Sequence, residues 1–368
     1  MKIKLALIIP TMDRGGAEKQ LCLLASNLPS DHFDVHVFLL TRDGPLRESL
    51  RRAGIATTLI GKRFKADPSA LFRLRDALKE FAPDIVHTWI FAANAFGRTA
   101  ALMAGVPVVI GSERCVDPWK SWWHFQIDRA LSKRSTAITT NSSAIEAFYV
   151  SHGIDANKFR VIANGVLPIH PSSIDRTTAF KRLGVPSNRK LILAVGRLWE
   201  QKRYRDLIWA GELVGATRQD TTLIVIGDGP QHDELLRFRD AVTTPRHVAF
   251  VGERDDVSDL LPHADLFWNG SEYEGQSNAI IEAMQASVPV IASNIPGNRD
   301  LVIDGVTGRL APLGDRAEFA RHSIELLDNP AMANELADSA RNRITTEFSV
   351  EKMVGKHAAL YRELIDRS

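Results

Sequence analysis

Two cations and two carboxylates stand at spacings that suit recognition of a sugar phosphate. Arg197 and Lys202 lie in the run Gly196-Arg197-Leu198-Trp199-Glu200-Gln201-Lys202. A guanidinium and an ammonium converging at a strand end can hold a diphosphate and stabilise the charge that builds on it as it departs. Solvation is the usual role of such an exposed pair. Glu274 and Glu282 lie eight apart in Glu274-Gly275-Gln276-Ser277-Asn278-Ala279-Ile280-Ile281-Glu282-Ala283-Met284. Ser277 or Asn278 is a good N-cap, which leaves Glu274 and Gly275 in the loop and sets Glu282 about one turn into the helix. The N–H groups of Gly275, Gln276, Ser277 and Asn278 can then meet a phosphate, while the carboxylates accept from hydroxyls on either side. One site could thus grip a nucleotide sugar; an N-cap with an unrelated helix glutamate is the plainer alternative.

Glycines mark two further loops. In Asp13-Arg14-Gly15-Gly16-Ala17-Glu18 the pair Gly15 and Gly16 lets a helix N-terminus approach an anion, or makes a tight turn. In Gly227-Asp228-Gly229-Pro230 a structural turn is sufficient, and close approach of a ligand to Gly227 and Gly229 is a further option.

These loops need strands to hold them. Short apolar runs alternate with segments of helical period, which implies an α/β chain with parallel sheets covered by helices. Strands are expected at 5–9, 35–40, 57–60, 85–87, 106–110, 137–140 and 160–162, and again at 190–195, 222–226, 247–251, 266–268 and 288–292. Pro168, Pro171, Ser172, Ser173, Gly184, Pro186 and Ser187 break the rhythm around one short helical piece, 177–183. The reading is therefore a first Rossmann-like domain over 1–170, a connection over 171–189 and a second Rossmann-like domain over 190–349. A last helix at about 350–368 is expected to return to the first domain. Ligands of open α/β sheets bind beyond the carboxyl ends of strands, where all of these loops lie.

Composition narrows the class. The 368 residues carry 46 Lys plus Arg against 44 Asp plus Glu and 45% hydrophobic residues, near globular averages. The first 170 residues have a net charge of +7 and the remainder −5. That modest excess suits an anionic partner or an anionic membrane surface, and without a nucleic-acid motif it gives no reason to expect DNA or RNA. Cys22 and Cys115 form no CxxC, which fits a reducing, cytoplasmic setting. Met1-Lys2-Ile3-Lys4 and the short apolar run after it resemble a signal peptide but lead into Pro10-Thr11 without a cleavage site, and no run reaches bilayer length. No metal-ligand cluster is evident, so no metal or other cofactor is expected.

The ordered set GGAE, GRLWEQK, GDGP, EGQSNAIIEAM, Pro289 to Ser293 and Gly297-Asn298-Arg299-Asp300 resembles family 4 retaining glycosyltransferases of the GT-B fold, over nearly the whole chain. The resemblance implies two sheets facing a central cleft and transfer of a hexose or N-acetylhexosamine from a nucleotide-diphosphate sugar, UDP foremost. The acceptor would be a glycan or lipid-linked molecule of polysaccharide, lipopolysaccharide or glycolipid assembly, met at the inner face of a membrane. It implies that Arg197 and Lys202 hold the diphosphate, Glu274 faces the donor sugar and Glu282 holds the ribose. Gly15, Gly16, Gly196, Gly227, Gly229, Gly275, Gln276, Ser277 and Asn278 would line the donor, and front-side displacement would retain configuration without a metal. An epimerase, a phosphorylase or an inactive nucleotide-sugar binder of similar fold is the alternative.

Acceptor candidates fall in the first half. Family members often carry His-x-His after the fourth strand; here His87 keeps the first position and Trp89 replaces the second, so His87 is either a sugar contact or structural. Glu113 and Arg114 follow the fifth strand as candidate acceptor contacts. Trp119, Trp122, Trp123 and Phe125 crowd beside Lys120, His124 and Arg129, and Arg63 and Lys65 flank Phe64. Aromatics among cations can rest on a lipid interface or a sugar ring, and part of the first cluster must fill a core.

Overall fold

The computed structural model describes residues 2–168 and 172–368. Met1, the last two residues of the expected first domain and Pro171 lie outside that description. The chain divides into two compact units, Met1–Gly165 with Phe348–Ser368, and Val166–Glu347.

The first unit is a seven-stranded parallel sheet of β1 (Ile3–Ile9), β2 (Phe33–Leu39), β3 (Ala56–Leu59), β4 (Ile85–Trp89), β5 (Val108–Glu113), β6 (Ala137–Thr140) and β7 (Phe159–Val161), in the order β3-β2-β1-β4-β5-β6-β7. Its strands are apolar throughout because both faces are covered. Leu5, Leu7 and Ile9 of β1 face one core and Ala6 and Ile8 the other. The helix Val350–Asp366 lies on the first of these faces and buries Val350, Met353, Val354, Tyr361 and Leu364 there. At about 1.5–3 kcal/mol for each large side chain, that burial holds the C-terminal helix on this unit. β5 runs three residues beyond its expected end, so Gly111, Ser112 and Glu113 are strand residues. β4 turns directly into the helix Ile90–Ala104, with Ile90 at φ 61, a strained value for a β-branched residue.

The second unit is a six-stranded parallel sheet of β8 (Lys190–Val195), β9 (Thr221–Ile226), β10 (Val248–Phe250), β11 (Leu266–Asn269), β12 (Val290–Ser293) and β13 (Arg309–Ala311), in the order β10-β9-β8-β11-β12-β13. Three-residue β13 is too short to carry a period and was not expected. The stretch read as a connection belongs to this unit. Its helix Arg176–Leu183, capped by Asp175, buries Ala179, Phe180 and Leu183, and Arg176 pairs with Asp265 at 2.8 Å. The Pro, Ser and Gly residues that suggested a connector mark the ends of a packed element, with Gly184 ending the helix at φ 70.

Candidate functional site

Strand order reverses between β1 and β4 in the first unit and between β8 and β11 in the second. Such switch points open a crevice beyond the carboxyl ends of the strands. In the second unit the loop after β8 carries Arg197 and Lys202, and the loop after β11 carries Glu274.

Those two loops are bound together. Lys202 Nζ pairs with Glu274 Oε1, which also accepts from Ser271 Oγ at 2.8 Å. Gln201 Nε2 donates to the Tyr273 carbonyl at 2.5 Å, and the Glu272 amide donates to the Gln201 carbonyl at 2.8 Å. Arg203, left-handed at φ 52, turns the chain into the helix Tyr204–Thr217. Tyr204 donates to the Gly196 carbonyl at 3.0 Å; burial and then the Glu274 carboxylate hold its phenol above the ordinary range. Arg197 and Lys202 meet different neighbours. The exposed guanidinium of Arg197 lies over the Trp199 ring at 4.8 Å.

Behind Glu274 lies a buried polar lattice. Asn298, fully buried, donates from Nδ2 to Ser293 O and Oγ at 3.0 and 3.1 Å, and Ser293 Oγ donates to the Ser271 carbonyl. Asn269 accepts from the Ser271 amide at 3.2 Å and donates to Ser277 Oγ at 3.3 Å. Ser277 caps the helix Asn278–Gln285, leaving Gly275 and Gln276 in the loop and Glu282 partly buried one turn in. A Cβ at Gly297 would stand 2.1 Å from the Gly275 carbonyl, so the chain after β12 presses directly on the Glu274 loop. Gly227 and Gly229 are glycines for a similar reason. A Cβ would stand 2.0 Å from Gly196 O at the first and 2.6 Å from Leu198 O at the second, and the neighbouring loop alone explains both.

In the first unit the candidates take the following places. The Glu18 carboxylate lies across Gly15, with Oε2 2.0 Å from where a Cβ would stand, so an acid already rests at this helix start. The helix begins at Gly16. His87 is fully buried: Nδ1 meets Tyr361 Oη at 2.8 Å and Nε2 meets Thr139 Oγ1 at 2.9 Å, so no nitrogen is left for an acceptor. Burial, with His357 and Arg114 nearby, holds its pKa well below the ordinary range. Glu113 and Arg114 part company because successive strand residues point to opposite faces. Glu113 is buried with Asn94 Nδ2 at 2.9 Å and Lys120 Nζ at 3.6 Å, where Lys120 also meets Asp117 and Asp128 and Arg98 pairs with Asp128. Burial pushes its carboxyl up to about 7 despite Lys120. Arg114 goes to the other face, over Trp89 at 4.6 Å. Of the aromatic cluster Phe125 is core, while Trp119, Trp122 and Trp123 are exposed by 54%, 75% and 47%. Phe64 is exposed between Arg63 and Lys65.

Among the described residues no group of His, Cys, Asp or Glu could hold a metal ion, and no helix is long and apolar enough to cross a membrane. A cleft of about 830 Å³ at the amino end of the second sheet is lined by Arg189, Asp220 and Arg246. Arg189 spends its donors there on Thr222 Oγ1 and the carbonyls of Gln219, Thr221 and Arg246.

Residues 14–168 match the family model described as Glycosyltransferase Family 4, and residues 175–343 match Glycosyl transferases group 1. The glycogen synthase of Mycobacterium tuberculosis is 34% identical over 300 residues, covering 77% of this chain and 69% of that one. The chain is a family 4 glycosyltransferase of the GT-B fold. The UDP-Gal:alpha-D-GlcNAc-diphosphoundecaprenol alpha-1,3-galactosyltransferase of Escherichia coli is 27% identical over 357 residues, 92% of this glycosyltransferase and 91% of that one. The crystal structure of Anabaena Alr3699/HepE in complex with UDP and glucose has the same fold, with a TM-score of 0.88, 23% identity and coverage of 98% and 99%.

Sequence reasoning about this glycosyltransferase missed Asn269, Ser271 and Tyr204 as supports of the Lys202–Glu274 pair. The signal was present for one of them: Asn269 closes an otherwise apolar strand, where a buried amide must find partners. Ser271 and Tyr204 carry no such mark.

Proposed function

We propose that the enzyme is a retaining transferase that moves a hexose or N-acetylhexosamine from a UDP-sugar to a glycan or lipid-linked acceptor of cell-surface polysaccharide or glycolipid assembly. One observation carries the reading: Lys202 and Glu274, from the loops after the two strands of a switch point, are in contact and braced from behind. The named activity of the Escherichia coli relative and the UDP and glucose of the Anabaena structure support the donor class.

In this reading the donor diphosphate takes Lys202 from Glu274 and draws Arg197 from Trp199. The freed Glu274 carboxylate, still oriented by Ser271, accepts from a sugar hydroxyl. Glu282 accepts from the ribose, and backbone N–H groups between Gly275 and Asn278 meet the β-phosphate and sugar at a helix N-terminus. The bond from the anomeric carbon to the β-phosphate oxygen breaks, and its electron pair stays on that oxygen under the two cations. The acceptor hydroxyl attacks the same face, and its proton passes to the departing phosphate, so configuration is retained. The cationic pair supplies the charge stabilisation that a divalent metal would otherwise give. Exposed Trp119, Trp122, Trp123 and Phe64, with Arg63 and Lys65, suit work on the inner face of an anionic membrane.

The test is a donor screen with UDP-, GDP- and ADP-sugars, read by thermal shift and by release of nucleoside diphosphate with and without acceptor. Stabilisation by a UDP-sugar and acceptor-dependent release are expected. Indifference to every donor would overturn the reading.

A further inference from the structure

The carboxyl ends of β4, β5 and β6 collect buried polar atoms that have no hydrogen-bond partner among the described residues. They are Trp89 Nε1, Ser112 Oγ, Arg114 Nε and Nη1, Asn141 Oδ1 and His357 Nε2. Trp89, Ser112 and His357 are each no more than 1% exposed. Contacts join the set into one place. Trp89 is the register partner of Ser112, so the two share a face of the sheet. Arg114, two residues on, stays on that face with its guanidinium 4.6 Å from the Trp89 ring. His357, from the C-terminal helix, stacks on the same indole at 6.3 Å and 19°. Asn141 and Arg114 both donate to Asn164 Oδ1. Gln20 clamps the next residue, Gly165, through its amide and carbonyl at 2.8 and 2.9 Å.

The inventory is one of donors around a cation. Indole N–H, two guanidinium nitrogens and a hydroxyl offer hydrogens, against one amide oxygen and one imidazole nitrogen. His357 Nδ1 is 2.9 Å from the Met353 carbonyl, which makes Nδ1 the donor and Nε2 an acceptor. A guanidinium taken from water without a counter-charge is costly, and each unmet N–H adds to that cost. The carboxylates of this unit that could pay it back, Glu113, Asp117 and Asp128, lie with Lys120 on the opposite face. Arg114 shows the consequence, since burial alone brings its guanidinium down to about 9. Arg114 as a whole is only partly covered, while its unmet nitrogens are buried.

We infer that this group is an anion subsite of the first unit, built from Arg114, Trp89 and Ser112, and that it takes phosphoryl oxygens of the acceptor. The inference rests on the transfer reading above and sharpens it, because it makes the acceptor a phosphate-bearing molecule rather than a neutral glycan. Trp89 supplies both the face on which the guanidinium lies and an N–H that has no partner among the described residues.

Inorganic pyrophosphate is the probe, titrated calorimetrically against the full chain carrying Arg197→Ala and Lys202→Ala, which removes the cations of the second unit. Binding is expected to persist there and to weaken at least about tenfold when Arg114→Gln is added, the loss of a charge-assisted pair. Equal affinity with and without Arg114→Gln would overturn the subsite. Should Arg114→Gln fail to fold, Ser112→Ala removes only the hydroxyl; weakening by about threefold supports the site, and unchanged affinity overturns it. A second arm separates free from acceptor-borne phosphate. KM for a polyprenyl-diphosphate-linked sugar should rise at least about tenfold in Arg114→Gln, with KM for the same sugar lacking phosphate unmoved. Equal KM values would overturn the acceptor assignment. Failure of the transfer reading would show instead as indifference to UDP-sugars, whatever pyrophosphate does.

Discussion

The switch point of the second sheet and the strand ends beyond β4 and β5 of the first differ in how their charges are satisfied. Beyond β8 and β11 a cation and a carboxylate meet, with Ser271, Gln201 and Tyr204 bracing the loops they stand on. Beyond β4 and β5 the charges are sorted by sheet face. Glu113 enters a closed ionic network on one side, and on the other Arg114 rests on Trp89 with two nitrogens unmet. A parallel sheet thus fixes where chemistry can occur, while the residues at the strand ends decide which. A site whose ions are already paired can exchange a partner at small cost; a site with unmet donors gains most when an anion arrives.

The sharpest way to break this contrast is to remove Lys202. Lys202→Ala should lower turnover by about 100-fold or more, because the lost charge acts mainly on the leaving diphosphate. Steady-state kinetics with the donor found by screening would check it, and near-normal turnover would remove the second switch point from the chemistry. Gly297→Ala comes next. The added carbon would overlap the Gly275 carbonyl and shift the Glu274 loop, so turnover should fall about tenfold while Arg114-dependent pyrophosphate binding stays intact. Loss of both would show that the two regions are not independent.

Why one region was legible and the other was not follows from residue types. Arg197, Lys202, Glu274 and Glu282 are charged residues in loops between apolar strands, and their spacing stands out. Trp89, Ser112 and His357 are ordinary core residues, and nothing in their pattern marks an unmet donor. Glu113 and Arg114 read as neighbours in a loop because β5 seemed to end at Ile110, and three more residues of strand sent them to opposite faces. β13 escaped because three residues are too short to show a period, whereas the short helix expected at 177–183 is present as Arg176–Leu183. The Glu18 carboxylate over Gly15 needed coordinates, since the sequence gives the glycines but not which acid returns to them.

Acid sharpens the comparison within the first unit, where His87 and His357 are buried neutral. Burial brings His357 down to about 4 and His87 well below its ordinary value. A depressed histidine binds its proton in the unfolded chain first, so the stability it confers is full above about pH 6.5 and is lost as pH falls toward the folded value, at about 1.4 kcal/mol per unit. Glu113, raised to about 7, has the opposite sign: its contribution is full below about pH 4.5 and is lost as pH rises. The carboxylates and cations around it, Asp117, Asp128, Lys120 and Arg98, lie on the same face. Glu113→Gln removes the opposing slope, so urea unfolding between pH 6.5 and 5 should become more steeply acid-sensitive than in the parent chain, by about 1 kcal/mol per unit. An unchanged slope would mean that Glu113 stays ionised in its network.

The smallest effect tests whether the exposed aromatics of the first unit do work that the second unit leaves undone. Trp122 is 75% exposed, so Trp122→Ala should leave urea stability within about 0.5 kcal/mol of the parent. If this face rests on a membrane, the same change should weaken co-sedimentation with vesicles of mixed anionic and neutral phospholipid by about fivefold, an indole at an interface being worth about that much. Arg63→Ala with Lys65→Ala should weaken it further and flatten its dependence on salt, because those two cations flank Phe64 where an anionic surface would be met. Unchanged sedimentation in both variants would leave the tryptophans to a soluble sugar acceptor, and their loss would then show in KM for that acceptor while vesicles made no difference. Either result assigns the exposed rings by the partner that responds, since a lipid surface reads area and charge and a sugar ring reads one stacked face.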